Sequence, residues 1–138
     1  MGIRSFLHRL TAPKTYHPYN GGDVKTVFLV NHSLKMGKGK IAAQVGHASV
    51  GVVLNAGQTH PAELEAWLAQ GQKKVCLKCD TLEQMELYVG QANSKGIHTH
   101  VVKDAGHTQI PRGSTTVAAI GPCAGDVLDT ITGELKLL

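Results

Sequence analysis

Short β-rich segments alternate with segments of helical periodicity along this chain, and that alternation limits the folds open to it. The residues VKTVFLVN at 24–31 predict a strand, and apolar residues at every third or fourth position predict a helix from residue 40 to about 55. The same two patterns predict further strands over 73–79, 98–103 and 115–120, and further helices over 61–70, from 81 onward and over 124–132. Strands separated by helices form one sheet that is covered by helices on both faces. The sequence therefore predicts an α/β fold built as a three-layer α/β/α sandwich.

Everything after residue 22 fits a single domain. The whole chain has 138 residues, a size at which one domain buries about two-thirds of the surface of the unfolded chain. The first 22 residues contain Arg4, Arg9 and Lys14 but no acidic residue, and they end in a turn or linker signal, Asn20-Gly21-Gly22. We therefore expect a basic, flexible N-terminal tail over 1–22 and one folded domain over 23–138.

The cysteines and the tail bear on the compartment. Cys76, Cys79 and Cys123 are too few, and odd in number, for a disulfide framework, which favours a reducing compartment. Cys76 and Cys79 form a C-x-x-C pattern, but a spacing of three on a strand puts the two thiols on opposite faces. We therefore expect packing cysteines and a cytoplasmic protein. The alternative is a mitochondrial protein directed by its tail, because targeting segments are basic and poor in acids.

The charge of the chain permits a nucleic acid as a partner without requiring one. The formal net charge is +4, and seven of the 14 Lys and Arg lie in the first 40 residues, where Asp23 is the only acid. No apolar run approaches the roughly 20 residues that a membrane span needs. We expect no membrane span and a binding surface for anions near the front of the chain.

The segment KMGKGKIAAQVGHA at 35–48 joins a predicted strand to a predicted helix. Glycines at such a turn let a ligand approach the backbone, and the helix N-terminus that follows favours an anion. Lys35, Lys38 and Lys40 reinforce that preference. Ligands of open α/β sheets commonly bind at the carboxyl ends of the strands, which is where this turn is predicted to lie.

The predicted helix that follows this turn has one polar face. Lys40, Gln44 and His47 are spaced by four and three, so a cation, an amide and an imidazole lie together. A solvated helix face without function is the alternative interpretation of such a stripe. The stripe expected to be buried consists of Ile41, Val45 and Val52. The glycines expected to reflect close packing of this helix on the sheet are Gly46 and Gly51.

Two later segments also carry reactive groups. Asp104 ends a predicted strand before a glycine turn, where a carboxylate can act as a general base or orienting group, or simply cap the turn. The loop RGSTT at 112–116 offers hydroxyls and a glycine amide that can bind phosphate. His98 and His100 share one face of a strand, but no carboxylate or cysteine at a fixed spacing completes a metal site.

Together these segments resemble the archaeal/eukaryotic-type (type II) peptidyl-tRNA hydrolase family over about residues 25–138. The matching segments are KMGKGKIAAQVGHA at 35–48, DAGHTQIP at 104–111, IGP at 120–122 and TGELKLL at 132–138. The resemblance implies a four-stranded mixed sheet between helices and no metal or other cofactor. It also implies peptidyl-tRNA as the partner and hydrolysis of the ester that joins a stalled peptide to the 3′-terminal ribose of tRNA.

The resemblance also implies roles for particular residues. The catalytic residues that it implies are Lys40, Gln44, His47, Asp104 and Thr108. The residues that it implies for binding substrate or tRNA are Lys35, Gly37, Lys38, His107, Ser114 and Thr116. Ester hydrolysis needs an activated water and a stabilised oxyanion. The hypothesis is that Asp104 orients or deprotonates the water with the help of Thr108. Lys40 then stabilises the developing negative charge, while Gln44 and His47 position the ester.

Three positions depart from the usual pattern of the family. Asn31 and Ser33 stand where the family usually has an arginine and an aspartate, and His107 stands where it usually has an arginine. The missing cations are expected to affect tRNA affinity more than the chemistry. Because histidine titrates near neutral pH, His107 predicts tighter tRNA binding at about pH 6 than at about pH 8.

The alternative to an enzyme is a non-catalytic basic module that binds RNA or a protein partner. A degenerate copy should have lost Lys40, Asp104 or Thr108, and all three are present. A third interpretation, a hydrolase of small esters, differs in that its activity would not need the tRNA. The sequence carries no interface signal and leaves a homodimer open.

Overall fold

The structure is a computed structural model that describes residues 2, 3, 7, 10, 11, 16–106 and 110–138. From residue 24 onward the elements follow one another in this order: β1 (Val24–Asn31), a 3-10 turn (His32–Leu34), α1 (Lys38–Thr59), α2 (Pro61–Gln70), β2 (Lys74–Cys79), α3 (Leu82–Ser94), β3 (Thr99–Lys103), β4 (Thr115–Ala124) and α4 (Gly125–Thr132). The predicted strands and helices are all found, and their ends shift by a few residues. The largest extensions are in α1, which reaches Thr59, and in β4, which reaches Ala124.

The strands form one mixed sheet in the order β2-β1-β4-β3. β1 and β2 are parallel, whereas β4 runs antiparallel to both β1 and β3. β4 is longer than predicted because it pairs with β1 as far as the Val24–Ala124 position. The C-terminal residues add an isolated bridge from Leu137 to Leu77 on the outer edge of β2.

Helices cover both faces of the sheet, so the predicted three-layer α/β/α sandwich is confirmed. The core beneath α1 and α2 includes Phe28, Val30, Ala48, Val52, Trp67 and Val117. The core beneath α3 and α4 includes Leu29, Leu77, Met85, Tyr88, Ile120 and Leu128. Alternate residues of the central strands therefore enter different cores, as the two-residue period of a strand requires.

Local sequence signals fix the ends of the helices. Pro61 opens α2, where its missing N–H costs nothing, and Gly71 with φ 110° ends it. Thr81 caps α3 by accepting a hydrogen bond from the backbone N–H of Gln84 at 3.1 Å. The Gln84 side chain in turn accepts from the backbone N–H of Asp80 at 2.7 Å. Together the two hydrogen bonds resemble a capping box, in which the N-cap residue and the third residue of the helix bond reciprocally.

The buried stripe of α1 differs from the predicted one. The buried residues of this helix recur every four positions and are Gln44, Ala48, Val52 and Ala56. Ile41 and Val45, which were expected to be buried, are half-exposed. A row of residues spaced by four winds obliquely around a helix. The row that starts at Lys40 and Gln44 therefore continues into the core, and the predicted polar face is partly a buried one.

Two of the four glycines in α1, Gly46 and Gly51, have different surroundings. A Cβ atom at Gly51 would lie 2.1 Å from Nε2 of His100, so close packing on the sheet explains that glycine as predicted. Gly46 is exposed, and a Cβ atom there would meet nothing within 4 Å. The packing explanation is therefore wrong for Gly46.

A bulge interrupts the pairing of β1 with β4. Lys25 pairs with Cys123 but Val27 pairs with Ile120, so Thr26 faces two residues of β4. The Thr26 hydroxyl oxygen is buried and has no hydrogen-bond partner within the part of the chain that the structure describes.

Residues 16–22 lie against α2. The backbone N–H groups of Tyr16 and His17 donate to a carboxylate oxygen of Glu65 at 2.8 and 2.7 Å, and Gln70 Nε2 donates to the Gly22 carbonyl at 3.0 Å. The side-chain hydrogen bond from His17 lowers the pKa of Glu65. The second part of the predicted tail is therefore attached to the domain. The basic tail residues outside the described part of the chain are Arg4, Arg9 and Lys14.

All three cysteine thiols are free, and those of Cys76 and Cys79 lie on opposite faces of β2, as predicted. Cys76 packs against the core beneath α1, whereas Cys79 belongs to the core beneath α3. Burial raises the pKa of the Cys79 thiol to about 11, so this thiol is a poor nucleophile. Among the described residues, no group of three His, Cys, Asp or Glu side chains is arranged to hold a metal ion. In the same residues, no helix combines the length and hydropathy needed to cross a membrane.

Candidate active site

Four of the five predicted catalytic residues line one cavity of about 460 Å³. It lies between the first three turns of α1 and the end of β3. Lys40, Gln44 and His47 line it from α1, and Asp104 lines it from the other side. Asp104 is 64 residues from Lys40 in the sequence, and the fold brings it to the other three because β3 ends beside the start of α1.

Lys40 and Asp104 form an ion pair between Nζ and Oδ1. The side chain of Asp104 is 2% exposed and that of Lys40 is 20% exposed. A buried carboxylate is stable only when cations and hydrogen-bond donors surround it. The ammonium therefore meets the electrostatic need of Asp104, and its remaining exposure faces the cavity.

The backbone around Asp104 is held firmly by the loop that enters β4. The Asp104 N–H donates to the Ser114 carbonyl at 2.9 Å, and the Gly113 N–H donates to the Asp104 carbonyl at 3.0 Å. The other carboxylate oxygen, Oδ2, accepts from the Gly106 N–H at 2.9 Å. Asp104 thus caps its turn, which is one of the two roles considered from the sequence, and it also pairs with Lys40.

Gln44 is held by a threonine from the sheet. The Thr116 hydroxyl donates to Gln44 Oε1 at 2.7 Å, a typical O–H···O length, and both residues are buried. With Oε1 engaged, the amide nitrogen of Gln44 is the group that remains to donate into the cavity. Thr116 therefore sets which end of the amide meets a ligand.

A second bulge in β4 places Thr116 under α1. Val102 pairs with Val117 but Lys103 pairs with Thr115, so Thr116 is the extra residue. Without the bulge, strand alternation would turn Thr116 away from Val117, toward α3. With it, the two neighbours lie on the same face, and the threonine hydroxyl reaches Gln44.

This burial corrects the role predicted for Thr116. Its side chain has no exposed surface, so a direct contact with tRNA is not available to it. Ser114 remains half-exposed, and its hydroxyl donates to the Pro111 carbonyl at 2.7 Å within its own loop. The predicted residues His107 and Thr108 lie outside the described residues.

The turn before α1 has the features of an anion site. Lys35 adopts a left-handed conformation with φ 50°, and Gly37 is the N-cap residue and makes no side-chain capping bond. The first turn of α1 contains no acid, and Lys35, Gly37 and Lys38 are exposed. The partial positive charge of the helix N-terminus and the lysines therefore act in the same direction. Lys38, however, lines a groove on the other flank of α1 and not the catalytic cavity.

Comparison with known proteins shows similarity over nearly all of the folded part of the chain. The family model described as "Peptidyl-tRNA hydrolase PTH2" matches residues 24–138. A peptidyl-tRNA hydrolase of Metallosphaera sedula is 46% identical over 117 residues, which cover 83% of this chain and all of the relative.

The chain belongs to the PTH2 family of peptidyl-tRNA hydrolases. It is therefore an enzyme that hydrolyses the ester bond between peptide and tRNA, and the non-catalytic module is not favoured. The peptidyl-tRNA hydrolase of Methanocaldococcus jannaschii is 41% identical over 115 residues, which cover 83% of this chain and all of the relative. The human protein named "Peptidyl-tRNA hydrolase 2, mitochondrial" is 40% identical over 118 residues, which cover 86% of this chain and 66% of the human one.

Asn31 and Ser33, two positions where this hydrolase is expected to differ from the usual family pattern, are joined by hydrogen bonds. Asn31 is buried, and its Nδ2 donates to the Thr115 carbonyl at 2.9 Å. Its Oδ1 accepts from the backbone N–H of Ser33 at 3.2 Å and from the Ser33 hydroxyl. A neutral pair thus ties the end of β1 to β4 and to the turn that leads to α1.

Lys103 is a cation of this hydrolase that sequence reasoning missed. It lines the cavity next to Asp104 and is exposed. Its position at the end of β3, directly before the candidate base, could have indicated it. Lys103 also lines a second cavity beside α3, so it adds a cation at the margin of the site.

Proposed function

We propose that this hydrolase cleaves peptidyl-tRNA in the cavity between α1 and β3, with Lys40 and Asp104 acting as one unit. The observation that carries the proposal is their ion pair, in which a buried carboxylate orients a partly exposed ammonium. The ammonium has further N–H donors besides the one on Asp104, and these can point into the cavity.

Two donors of the cavity suit the oxyanion that forms when water attacks the ester. Lys40 supplies a positive charge, and the amide nitrogen of Gln44 supplies a neutral donor that Thr116 holds in place. Donors that are fixed before the reaction stabilise developing charge without reorganisation. We assign both residues to the oxyanion.

The nucleophile in this proposal is a water molecule. Asp104 orients it or accepts its proton, and Thr108 helps to fix it. A covalent route through a thiol has little support, because burial raises the pKa values of Cys76, Cys79 and Cys123.

The remaining cations and the exposed imidazole are assigned to the tRNA end of the substrate. Lys35 and Lys38 are exposed at the start of α1, and Lys103 and His47 line the cavity itself. Phosphate contacts of this kind position a nucleic acid without reading its sequence. Such binding suits an enzyme that acts on many tRNAs.

The location that we propose is the cytoplasm, and the alternative is a mitochondrial protein directed by residues 1–22. Ile3, Leu7 and Leu10 are helical and exposed, and they recur at the spacing of an amphipathic helix. A fluorescent fusion of residues 1–22 decides between the two. Mitochondrial fluorescence would support the targeting role, and diffuse fluorescence would support the cytoplasm.

The activity is tested with two substrates and two matched variants. Wild-type protein, Asp104→Asn and Asp129→Asn are each incubated with N-blocked peptidyl-tRNA and with unblocked aminoacyl-tRNA. We expect wild type and Asp129→Asn to release the blocked peptide selectively, and Asp104→Asn to release almost none. Wild-type turnover by Asp104→Asn would refute the assignment of the site.

A further inference from the structure

The outward face of α1 lacks the charges that an exposed helix normally carries. No Lys, Arg, Asp or Glu occurs from Ile41 to Thr59, a stretch in which His47 is the only titratable side chain. Val50 is 60% exposed and Leu54 is 65% exposed. Helices on protein surfaces usually turn polar residues outward, so an apolar outward face indicates that something else contacts it.

An apolar groove of about 720 Å³ runs along one flank of this helix. Its walls are α1, the edge strand β2 and the last residue of the chain. The larger apolar residues that line it are Ile41, Val45, Cys76 and Leu138. Its charged residues are Lys38 and Lys74, and the other residues that line it are uncharged.

Small residues separate this groove from the catalytic cavity. Ala43 lines the cavity, whereas Ala42 and Gly46 line the groove, and all three are exposed. Gly46 has no neighbour within 4 Å of a Cβ position and no unusual backbone conformation. Glycine weakens a helix relative to alanine, and nothing within the described fold requires one there. The open space above Gly46 is therefore available to a ligand.

We propose that the peptide portion of peptidyl-tRNA crosses α1 over Ala42, Ala43 and Gly46 and lays its apolar side chains in this groove. The inference rests on the proposed function, since the groove has this occupant only if the ester lies in the cavity. At the ester the substrate divides into a polyanionic tRNA and a peptide. The lysines around the cavity suit the first, and the uncharged surface of α1 suits the second. Because the groove would contact apolar side chains in general and would not read a particular sequence, the enzyme could accept many peptides.

Filling the space above Gly46 tests the proposal. Gly46→Leu places a large side chain on the path, and Gly90→Leu is the matched control. Gly90 also lies exposed within a helix, on the opposite face of the sheet, with nothing within 4 Å of its Cβ position. Leucine favours a helix over glycine, so we expect both variants to melt a few degrees above wild type. If both variants melt above wild type, a loss of activity in Gly46→Leu is not caused by unfolding.

The substrates are an N-acetyl-aminoacyl-tRNA and a peptidyl-tRNA that carries five apolar residues. We expect Gly46→Leu to raise KM for the long substrate about 10-fold, the scale at which a hydrophobic contact discriminates. The same variant should keep kcat/KM for the short substrate within about twofold, and Gly90→Leu should change neither.

Three results would overturn the proposal. Equal effects of Gly46→Leu on both substrates, or no effect on either, would mean that the peptide does not use this path. A wild-type dimer in sedimentation that Gly46→Leu dissociates would make the apolar face an interface between two copies. Cleavage of the short substrate by wild type reports on the proposed function alone, so failure of that function is recognised separately.

Discussion

The two ends of the sheet carry ion pairs of the same residue types in very different surroundings. At the cavity, the carboxylate of the Lys40–Asp104 pair is 2% exposed and is also held by a backbone N–H. At the opposite end, Lys25 contacts Asp129 at 2.6 Å, but the Asp129 side chain is 62% exposed. Bulk water competes strongly for the second carboxylate, whereas the first is almost entirely shielded from bulk solvent and borders only the cavity. The comparison shows that burial, and not the pairing itself, distinguishes the candidate catalytic pair.

The two bulges of β4 show a similar contrast, here in the hydrogen bonding of two buried threonines. Thr116 lies within one bulge and donates its hydroxyl to Gln44. Thr26 lies opposite the other, and its buried hydroxyl has no partner among the described residues. The same distortion thus serves the cavity at one end and leaves an unsatisfied group at the other.

The largest expected difference between the two ion pairs is the effect on activity of neutralising the carboxylate of each, Asp104 or Asp129. We expect Asp104→Asn to lower kcat/KM for peptidyl-tRNA by about 100-fold or more, because both the water and Lys40 lose their orienting group. Asp129→Asn should stay within about twofold of wild type, since exposed pairs contribute little. Steady-state hydrolysis with both variants provides the measurement. Similar losses in the two variants would remove the distinction between the ends of the sheet.

Removing the hydroxyl of Thr116 tests the contact with Gln44. Thr116→Val keeps the shape but leaves the Gln44 amide unsatisfied, so we expect kcat to fall about 10-fold with KM nearly unchanged. Thr116→Ser keeps the hydroxyl and should restore most of kcat. Equal activity of the valine and serine variants would show that the hydrogen bond does not matter for the reaction.

The same substitution at the other bulge should have the opposite effect on stability. Thr26→Val removes a buried hydroxyl that has no partner in the described structure, so we expect the free energy of unfolding to rise by about 1 kcal/mol. Activity should not change, because Thr26 is remote from the cavity. Urea denaturation measures the difference, and a destabilised Thr26→Val protein would mean that the hydroxyl has a bonding role.

The smallest predicted effect is a pH dependence of the free energy of unfolding. It originates at His98, near the bulge that lies opposite Thr26. His98 donates from Nδ1 to the Gly121 carbonyl at 2.9 Å. Burial lowers the pKa of His98 below its usual 6.5, and His60 and His100 act in the same direction. The unfolded chain therefore binds the proton first as the pH falls, and stability should decrease below about pH 6.5.

His98→Asn keeps a donor for the Gly121 carbonyl but does not titrate. Its free energy of unfolding should fall less than that of wild type between about pH 7 and about pH 5. Parallel pH profiles of the two proteins would exclude His98 as the source.

The sequence predicted the layers of this fold well because strand and helix periods are local properties. Val24–Asn31 was predicted at its observed bounds, and the grouping of Lys40, Gln44, His47 and Asp104 followed from family segments. The bulge at Thr116 could not be predicted, since it depends on how β3 and β4 pair. That single inserted residue decides whether Thr116 faces Gln44 beneath α1 or the opposite core.

The surroundings of individual side chains were the least predictable feature. The spacing of Lys40 and Gln44 indicated a shared face but not that this face turns into the core at Ala48. The cluster of lysines indicated an anion site but not that Lys38 faces the groove on the other flank of α1. Both outcomes depend on the angle at which α1 crosses the sheet, which is a property of the whole domain.

A double-mutant cycle in single turnover tests the central claim that Lys40 and Asp104 act as one unit in the chemical step. The rates of peptidyl-tRNA cleavage are measured with excess enzyme for wild type, Lys40→Met, Asp104→Asn and the double variant. Groups that act as a unit are strongly non-additive, so the double variant should be within about threefold of the slower single variant. Losses that multiply across the cycle would show that the two residues act independently, and the account would be contradicted.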